Sequence, residues 1–173
     1  MELNSNLEDT NRFNKISKVI VSDEICKGDV VKGTVKNIKP YGAFIEMENG
    51  IDGLLYIEDI SVARIKTPEE RLKVGQNINV VIKNVDKEKN RVYFSYKEML
   101  GSWEENVKDI KEKTTIEGIV RETEKNKKGI FIEIKPNLVG MAEYKEGMEY
   151  GQKVDVYVKK IVPDKKKIKL IIK

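Results

Sequence analysis

Gly28-Asp29-Val30-Val31-Lys32-Gly33-Thr34-Val35-Lys36-Asn37-Ile38-Lys39-Pro40-Tyr41-Gly42-Ala43-Phe44-Ile45 opens a run of strand signals that continues to Tyr96. Asp29 to Lys39 is rich in β-branched residues and is interrupted by Gly33, which suits a bulge or sharp bend in a curved strand. Ala43 to Glu48 alternates apolar and acidic positions, and Asn49-Gly50 behind it is a hairpin turn signal. Gly53 to Ile57 reads as a third strand. Glu58 to Lys73 then breaks the rhythm; its Pro68-Glu69-Glu70 has the composition of a helix's first turn, so the segment reads as a long loop with a short helix. Gly75-Gln76 turns into Asn77 to Val85, Asp86 to Asn90 is a polar turn, and Arg91 to Tyr96 closes the unit. Five strands with a helical insert between the third and fourth is the order of an OB-type Greek-key barrel.

The pattern then restarts. Lys97 to about Lys111 reads as a helix carrying Trp103, which would pin it against a barrel. After it, Glu117-Gly118-Ile119-Val120 echoes Lys32-Gly33-Thr34-Val35, and Gly129-Ile130-Phe131-Ile132-Glu133 echoes Gly42-Ala43-Phe44-Ile45-Glu46. Val139-Gly140-Met141 answers Asp52-Gly53-Leu54, and Tyr150-Gly151-Gln152 answers Val74-Gly75-Gln76. Val156 to Val162 and Lys167 to Ile172 supply two last strands. The expected fold is all-β: two tandem five-stranded OB-fold barrels joined by a short helical linker. The expected boundaries are an N-terminal extension over 1–26, a first barrel over 27–97, a linker over 98–111 and a degenerate second barrel over 112–173. Within the extension, residues 1 to about 14 are polar, and Ile16 to Val21 reads either as a short strand or as an apolar docking segment.

Composition narrows the function classes. The 173-residue chain has no histidine and one cysteine, Cys26. Histidine metal sites, Ser-His and Cys-His pairs and imidazole acid–base chemistry are therefore excluded, as is an intrachain disulfide. Cys26 reads as a minor packing residue. Carboxylates are plentiful but alternate along strands and turns, and no cluster is suited to hold Mg²⁺ for phosphoryl transfer. The expectation is no catalytic residue, no metal, no cofactor and no small-molecule substrate. No stretch approaches the ~18 apolar residues that span a bilayer, and the N-terminus lacks a signal-peptide pattern. A cytoplasmic, non-membrane protein is expected. Net charge is +4. The segment Gly28 to Glu98 is nearly neutral, with twelve lysines and arginines against eleven acids. Glu112 to Lys173 carries fifteen against ten, a balance that permits nucleic-acid binding without demanding it.

Three rings stand out in a chain only 7% aromatic: Tyr41, Phe44 and Tyr56. Side chains three apart on a strand face opposite ways. Tyr41 and Phe44 share a face only if the chain bends between them, which Gly42 permits. A five-stranded OB barrel presents its binding face on strands two and three, where these rings fall. Base–aromatic stacking contributes about 1–3 kcal/mol per base and tolerates any base. Lys36, Lys39, Lys87 and Arg91 are the nearby cations for phosphate contact or guanidinium stacking. Tyr93, Phe94 and Tyr96 alternate along the last strand and read as core or barrel-end residues.

Taken together, Gly28 to Val35, Tyr41-Gly42-Ala43-Phe44-Ile45, Gly53-Leu54-Leu55-Tyr56-Ile57, Leu72-Lys73-Val74-Gly75-Gln76, Val85-Asp86 and Arg91-Val92-Tyr93-Phe94-Ser95 resemble the S1 domain. This is the RNA-binding OB-fold repeat named for ribosomal protein S1 and found also in polynucleotide phosphorylase and ribonuclease E. The resemblance spans about 28–97. It implies an RNA face made of Tyr41, Phe44, Tyr56, Asp86 and Arg91. Tyr56 departs from the family's usual histidine, which preserves stacking and removes a protonatable contact.

The second copy keeps Phe131 but has Lys128 where Tyr41 would lie and Glu143 where Tyr56 would lie. Pro163 or Asp164 fills the aspartate position and Lys167 that of the arginine. The lysine run 165–167 reads as a solvated hairpin turn, and this copy is expected to supply charge or a docking surface. The function expected is non-catalytic binding of single-stranded RNA with low sequence preference, by stacking on the first barrel, in translation or RNA metabolism. The alternative is a protein-interaction module that docks on the ribosome or an RNA-degrading assembly without touching RNA.

Overall fold

The computed structural model describes residues 25–123 and 128–173; the expectations for the first 24 residues, Ile16 to Val21 included, lie outside them. The described residues group into two units, one holding residues 25–57 together with Thr67–Tyr96, the other Glu58–Lys66 together with 97–123 and 128–173.

The first unit contains β1 (Val30–Lys39), β2 (Gly42–Met47), β3 (Asp52–Tyr56), β4 (Asn77–Asp86) and β5 (Arg91–Ser95). They close a barrel in the order β1-β2-β3-β5-β4, with β4 returning to β1. All pairings are antiparallel except β3 with β5. Alternation dictates which side chains fill it. Along β2, Ala43, Ile45 and Met47 are buried, while Phe44 and Glu46 point outward. Val35, Leu55, Val80, Val92 and Phe94 complete an interior with essentially no solvent exposure. Each such side chain contributes about 1.5–3 kcal/mol by leaving water.

The bulge sits at Lys36, three residues past the glycine expected to hold it. Val35 pairs with Ile45 and Asn37 with Phe44, so Lys36 is the extra residue. Gly33 stays in register opposite Met47. Its task is close approach, since a Cβ there would lie 2.4 Å from Cγ2 of Ile45 and 3.2 Å from the Glu46 carbonyl oxygen. The helical insert is a single 3-10 turn, Pro68–Glu70, whose first N–H groups are capped by Thr67 through Glu69 N at 3.0 Å. Cys26 is exposed instead of packed, at the turn where its N–H donates to the Asp29 carboxylate at 3.2 Å.

The second unit repeats the barrel with β6 (Thr115–Thr123), β7 (Gly129–Lys135), β8 (Leu138–Glu143), β9 (Lys153–Val162) and β10 (Lys167–Ile172), closed in the order β6-β7-β8-β10-β9. The repeat extends to detail. Arg121 is the bulged residue between Val120 and Glu122, as Lys36 is in β1. Gly118 meets Cγ2 of Ile132 at the same 2.4 Å for a Cβ. Val162 pairs with Lys167 as Asp86 pairs with Arg91. The residue in the aspartate position is therefore Val162, displacing Pro163 and Asp164, which belong to the following turn. Lys165, Lys166 and Lys167 are exposed at that turn.

The linker is less helical than its sequence suggests. A 3-10 turn spans Lys97–Leu100, and one short helix, α1 (Trp103–Val107), follows. Gly101, at φ +94, separates them, and Ser102 starts afresh with a capping box to Glu105. Trp103, Val107 and Ile110 pack on the core of the second barrel, and the Asn137 amide donates to the Lys97 and Gly101 carbonyls at 2.8 and 2.7 Å.

Candidate nucleic-acid interface

Tyr41 reaches the outer face because it is not in a strand. Lys39 pairs with Gly42, so Pro40 and Tyr41 form a two-residue hairpin loop and the period-two rule stops applying. β2 and β3 approach so closely here that a Cβ on Gly42 would stand 2.3 Å from the Leu55 carbonyl oxygen. The Tyr41 carbonyl is held by the Ile57 N–H at 2.9 Å. Its ring meets Phe44 edge to face, with centroids 6.4 Å apart at 87°.

Phe44 pairs with Leu54, and Leu54 with Tyr93, giving an outward row across three strands. Tyr56, opposite Gly42 at the end of β3, stacks on Tyr93 with centroids 6.0 Å apart and planes within 9°. Tyr41 is 48% exposed and Tyr56 38%, so ring area is open to a ligand. These four rings, with Asp52, Leu54 and Arg91, line a groove of about 520 Å³. Tyr93 is the member that reading of the last strand as core or barrel end missed. Its signal was parity: Val92 and Phe94 fill the interior, so the residue between them faces out.

The other expected residues sit elsewhere. Asp86 is half-buried and its carboxylate accepts the Lys89 N–H at 3.1 Å, closing the β4–β5 turn. Lys36 pairs with Glu46 at 3.1 Å. Lys36, Lys39, Asp86 and Lys87 do not line the groove, whereas Arg91 does. One rim is acidic, because Glu46 and Asp52 are directly opposed across β2 and β3. Burial holds the Asp52 carboxyl above its ordinary pKa, Glu46 adds to the shift and Lys36 opposes it.

The same positions in the second unit carry different chemistry. Register places Phe131 with Phe44, Met141 with Leu54, Glu143 with Tyr56 and Lys169 with Tyr93. One ring, one glutamate and one lysine replace three rings. The Lys36–Glu46 pair becomes Arg121–Glu133, at 3.0 Å with side chains only 6% and 7% exposed. Tyr150 lies over it, accepting from Arg121 at 3.2 Å and from the Lys66 N–H at 2.9 Å.

A closed five-stranded barrel with an outward aromatic groove on β2, β3 and β5 defines a protein of the OB-fold class. The S1 RNA binding domain family matches residues 6–97, and the chain belongs to that family. Small ribosomal subunit protein bS1 of Staphylococcus epidermidis is 33% identical, over 92% of this chain and 43% of its own length. The bS1 protein of Staphylococcus saprophyticus is likewise 33% identical, over 87% of this chain and 41% of its own. The chain thus spans less than half the length of these relatives. Among solved structures, GSP13 from Bacillus subtilis matches with a TM-score of 0.43 and 28% identity, covering 45% of this chain and 60% of that one.

Proposed function

We propose that the chain binds single-stranded RNA on the groove of its first unit, without catalysis and with little sequence preference, in the cytoplasm and in the service of translation. The observation that carries this reading is the set of four rings on one preformed face, two of them more than a third exposed. Rings fixed on a sheet lose little freedom on binding, and every base offers a π-face to them. Arg91 at the groove supplies a phosphate contact or a stacking guanidinium. Asp86 acts through the turn that presents Arg91, since its carboxylate is engaged by that turn's backbone. Membership of the S1 family and the likeness to bS1 proteins support RNA and the ribosome as partners.

The test is titration of the chain with a fluorescent oligouridine. Tyr41→Ala with Phe44→Ala is expected to cost about 2–5 kcal/mol if two bases stack. Binding is also expected to weaken as salt rises, through counterion release. An affinity unmoved by the double substitution refutes the groove as the RNA face. Nuclease-resistant capture on ribosomes with no oligonucleotide affinity supports protein docking instead.

A further inference from the structure

The aromatic groove of the first unit ends in a charged row. Outward positions on β2, β3 and β5 form successive rows, and two residues along from Phe44, Leu54 and Tyr93 stand Glu46, Asp52 and Arg91. Gly53 pairs with Val92, so Asp52 and Arg91, one residue earlier on these two parallel strands, fall side by side. Both are exposed, and both line the groove with the rings.

The three charges are not equally engaged. Glu46 has Lys36 as a partner at 3.1 Å. Among the described residues, no hydrogen bond or ion pair engages the carboxylate of Asp52 or the guanidinium of Arg91. An open carboxylate on a face that meets a polyanion weakens binding by like-charge repulsion, unless the ligand brings it a donor.

Base edges bring such donors. A base laid flat on the row of Phe44, Leu54 and Tyr93 points an edge at the charged row, about 6.6 Å further along the strands. An ionised carboxylate only accepts hydrogen bonds and a guanidinium only donates them. Of the four bases, guanine alone offers a carboxylate two adjacent donors, N1–H and the N2 amine, with the O6 acceptor next to them. Cytosine and adenine offer one amine each. The single N–H of uracil lies between two carbonyl oxygens that repel a carboxylate. We propose that Asp52 is a specificity-determining residue, accepting N1–H and N2–H of one guanine whose O6 accepts from Arg91. One position of an otherwise tolerant stacking groove thereby prefers guanine. The inference rests on the reading of this groove as an RNA face. In the second unit Val139 stands at the position of Asp52, so the device is not repeated there.

Fluorescence anisotropy of the full chain with three labelled oligouridines tests it, each of about nine nucleotides, within the roughly 4–16 that an OB fold occupies. The central nucleotide is uridine, guanosine or inosine, the last being guanosine without its N2 amine. The guanosine oligonucleotide is expected to bind at least about 5-fold tighter than the all-uridine one, the lower end of a bidentate base contact. Inosine should lose most of that advantage, an arm that needs no variant. In Asp52→Ala the guanosine advantage should fall below about 2-fold, while all-uridine binding tightens because a repelling charge is gone. Guanosine bound no better than uridine or inosine by the parent, or an advantage kept by Asp52→Ala, overturns the inference and leaves the proposed function standing. A parent with no affinity for any of the three overturns both.

Discussion

Replacing Glu133 by glutamine removes the anion from a pair that the second unit buries and that the first unit, at the same register position, leaves exposed. Arg121 and Glu133 meet at 3.0 Å with side chains 6% and 7% exposed, against 52% and 38% for Lys36 and Glu46 at 3.1 Å. Breaking a buried pair by deleting one partner costs about 3–5 kcal/mol, because the remaining charge is stranded in a poor dielectric. Arg121 keeps its bond to the Tyr150 hydroxyl, which places the expected loss near the lower figure, about 3 kcal/mol. Glu46→Gln, at a solvated pair, is expected to cost about 0–1 kcal/mol. The chain has one tryptophan, Trp103, and it packs on the core of the second barrel. Urea unfolding followed by tryptophan fluorescence therefore reports the unit that holds Glu133. A loss below about 1 kcal/mol for Glu133→Gln would refute the reasoning, because deleting the carboxylate of a buried ion pair cannot be so cheap. Exchanging both partners for well-packed apolar residues should recover most of the loss, since the desolvation cost of the ions disappears with them.

Two further outcomes follow from the geometry. Asp52→Asn is expected to stabilise the first unit slightly at pH 7, by less than about 1 kcal/mol given its exposure. The sign comes from linkage: a raised folded-state pKa makes ionisation a penalty on folding, present above that pKa and gone as pH falls below the ordinary 3.8. Melting curves from pH 7 to 3 should show the variant's advantage fading on acidification, and an advantage that grows instead contradicts the cause assigned here. Gly118→Ala forces a Cβ to within 2.4 Å of Ile132 Cγ2 and 3.2 Å of a backbone oxygen, an overpacking expected to cost about 1–3 kcal/mol in the Trp103-reported transition. A neutral result would show that β6 and β7 separate more easily than their packing indicates.

The strand order, the tandem repeat and the Asn49-Gly50 turn were legible because each is a local signal: β-branching, alternation and turn chemistry act within a few residues. What escaped depends on pairing between strands. Gly33 looked like a bulge because an isolated strand glycine weakens the ladder; only the approach of Ile45 from β2 shows that its missing Cβ is what counts. Tyr41 looked like a strand residue needing a bend. Only the Lys39–Gly42 pairing reveals a hairpin loop that frees it from alternation. The linker helix looked long because its composition is helical, yet Gly101 at positive φ ends one turn before Ser102 begins the next.

The most consequential gap was Tyr93. Taken with Tyr96 and Phe94 it reads as one aromatic cluster of uncertain facing, but Phe94 has no solvent exposure and fixes its neighbour on the outside. The groove then has a fourth ring, stacked on Tyr56, which gives the tyrosine standing in the family's histidine position a partner that orients its plane. In the second barrel the residues at these two positions are Glu143 and Lys169, which cannot stack on one another. An acid and a base stand there in place of the ring pair. The stack in the first barrel argues that Tyr56 and Tyr93 work as one unit, so substituting either alone should cost nearly as much RNA affinity as substituting both.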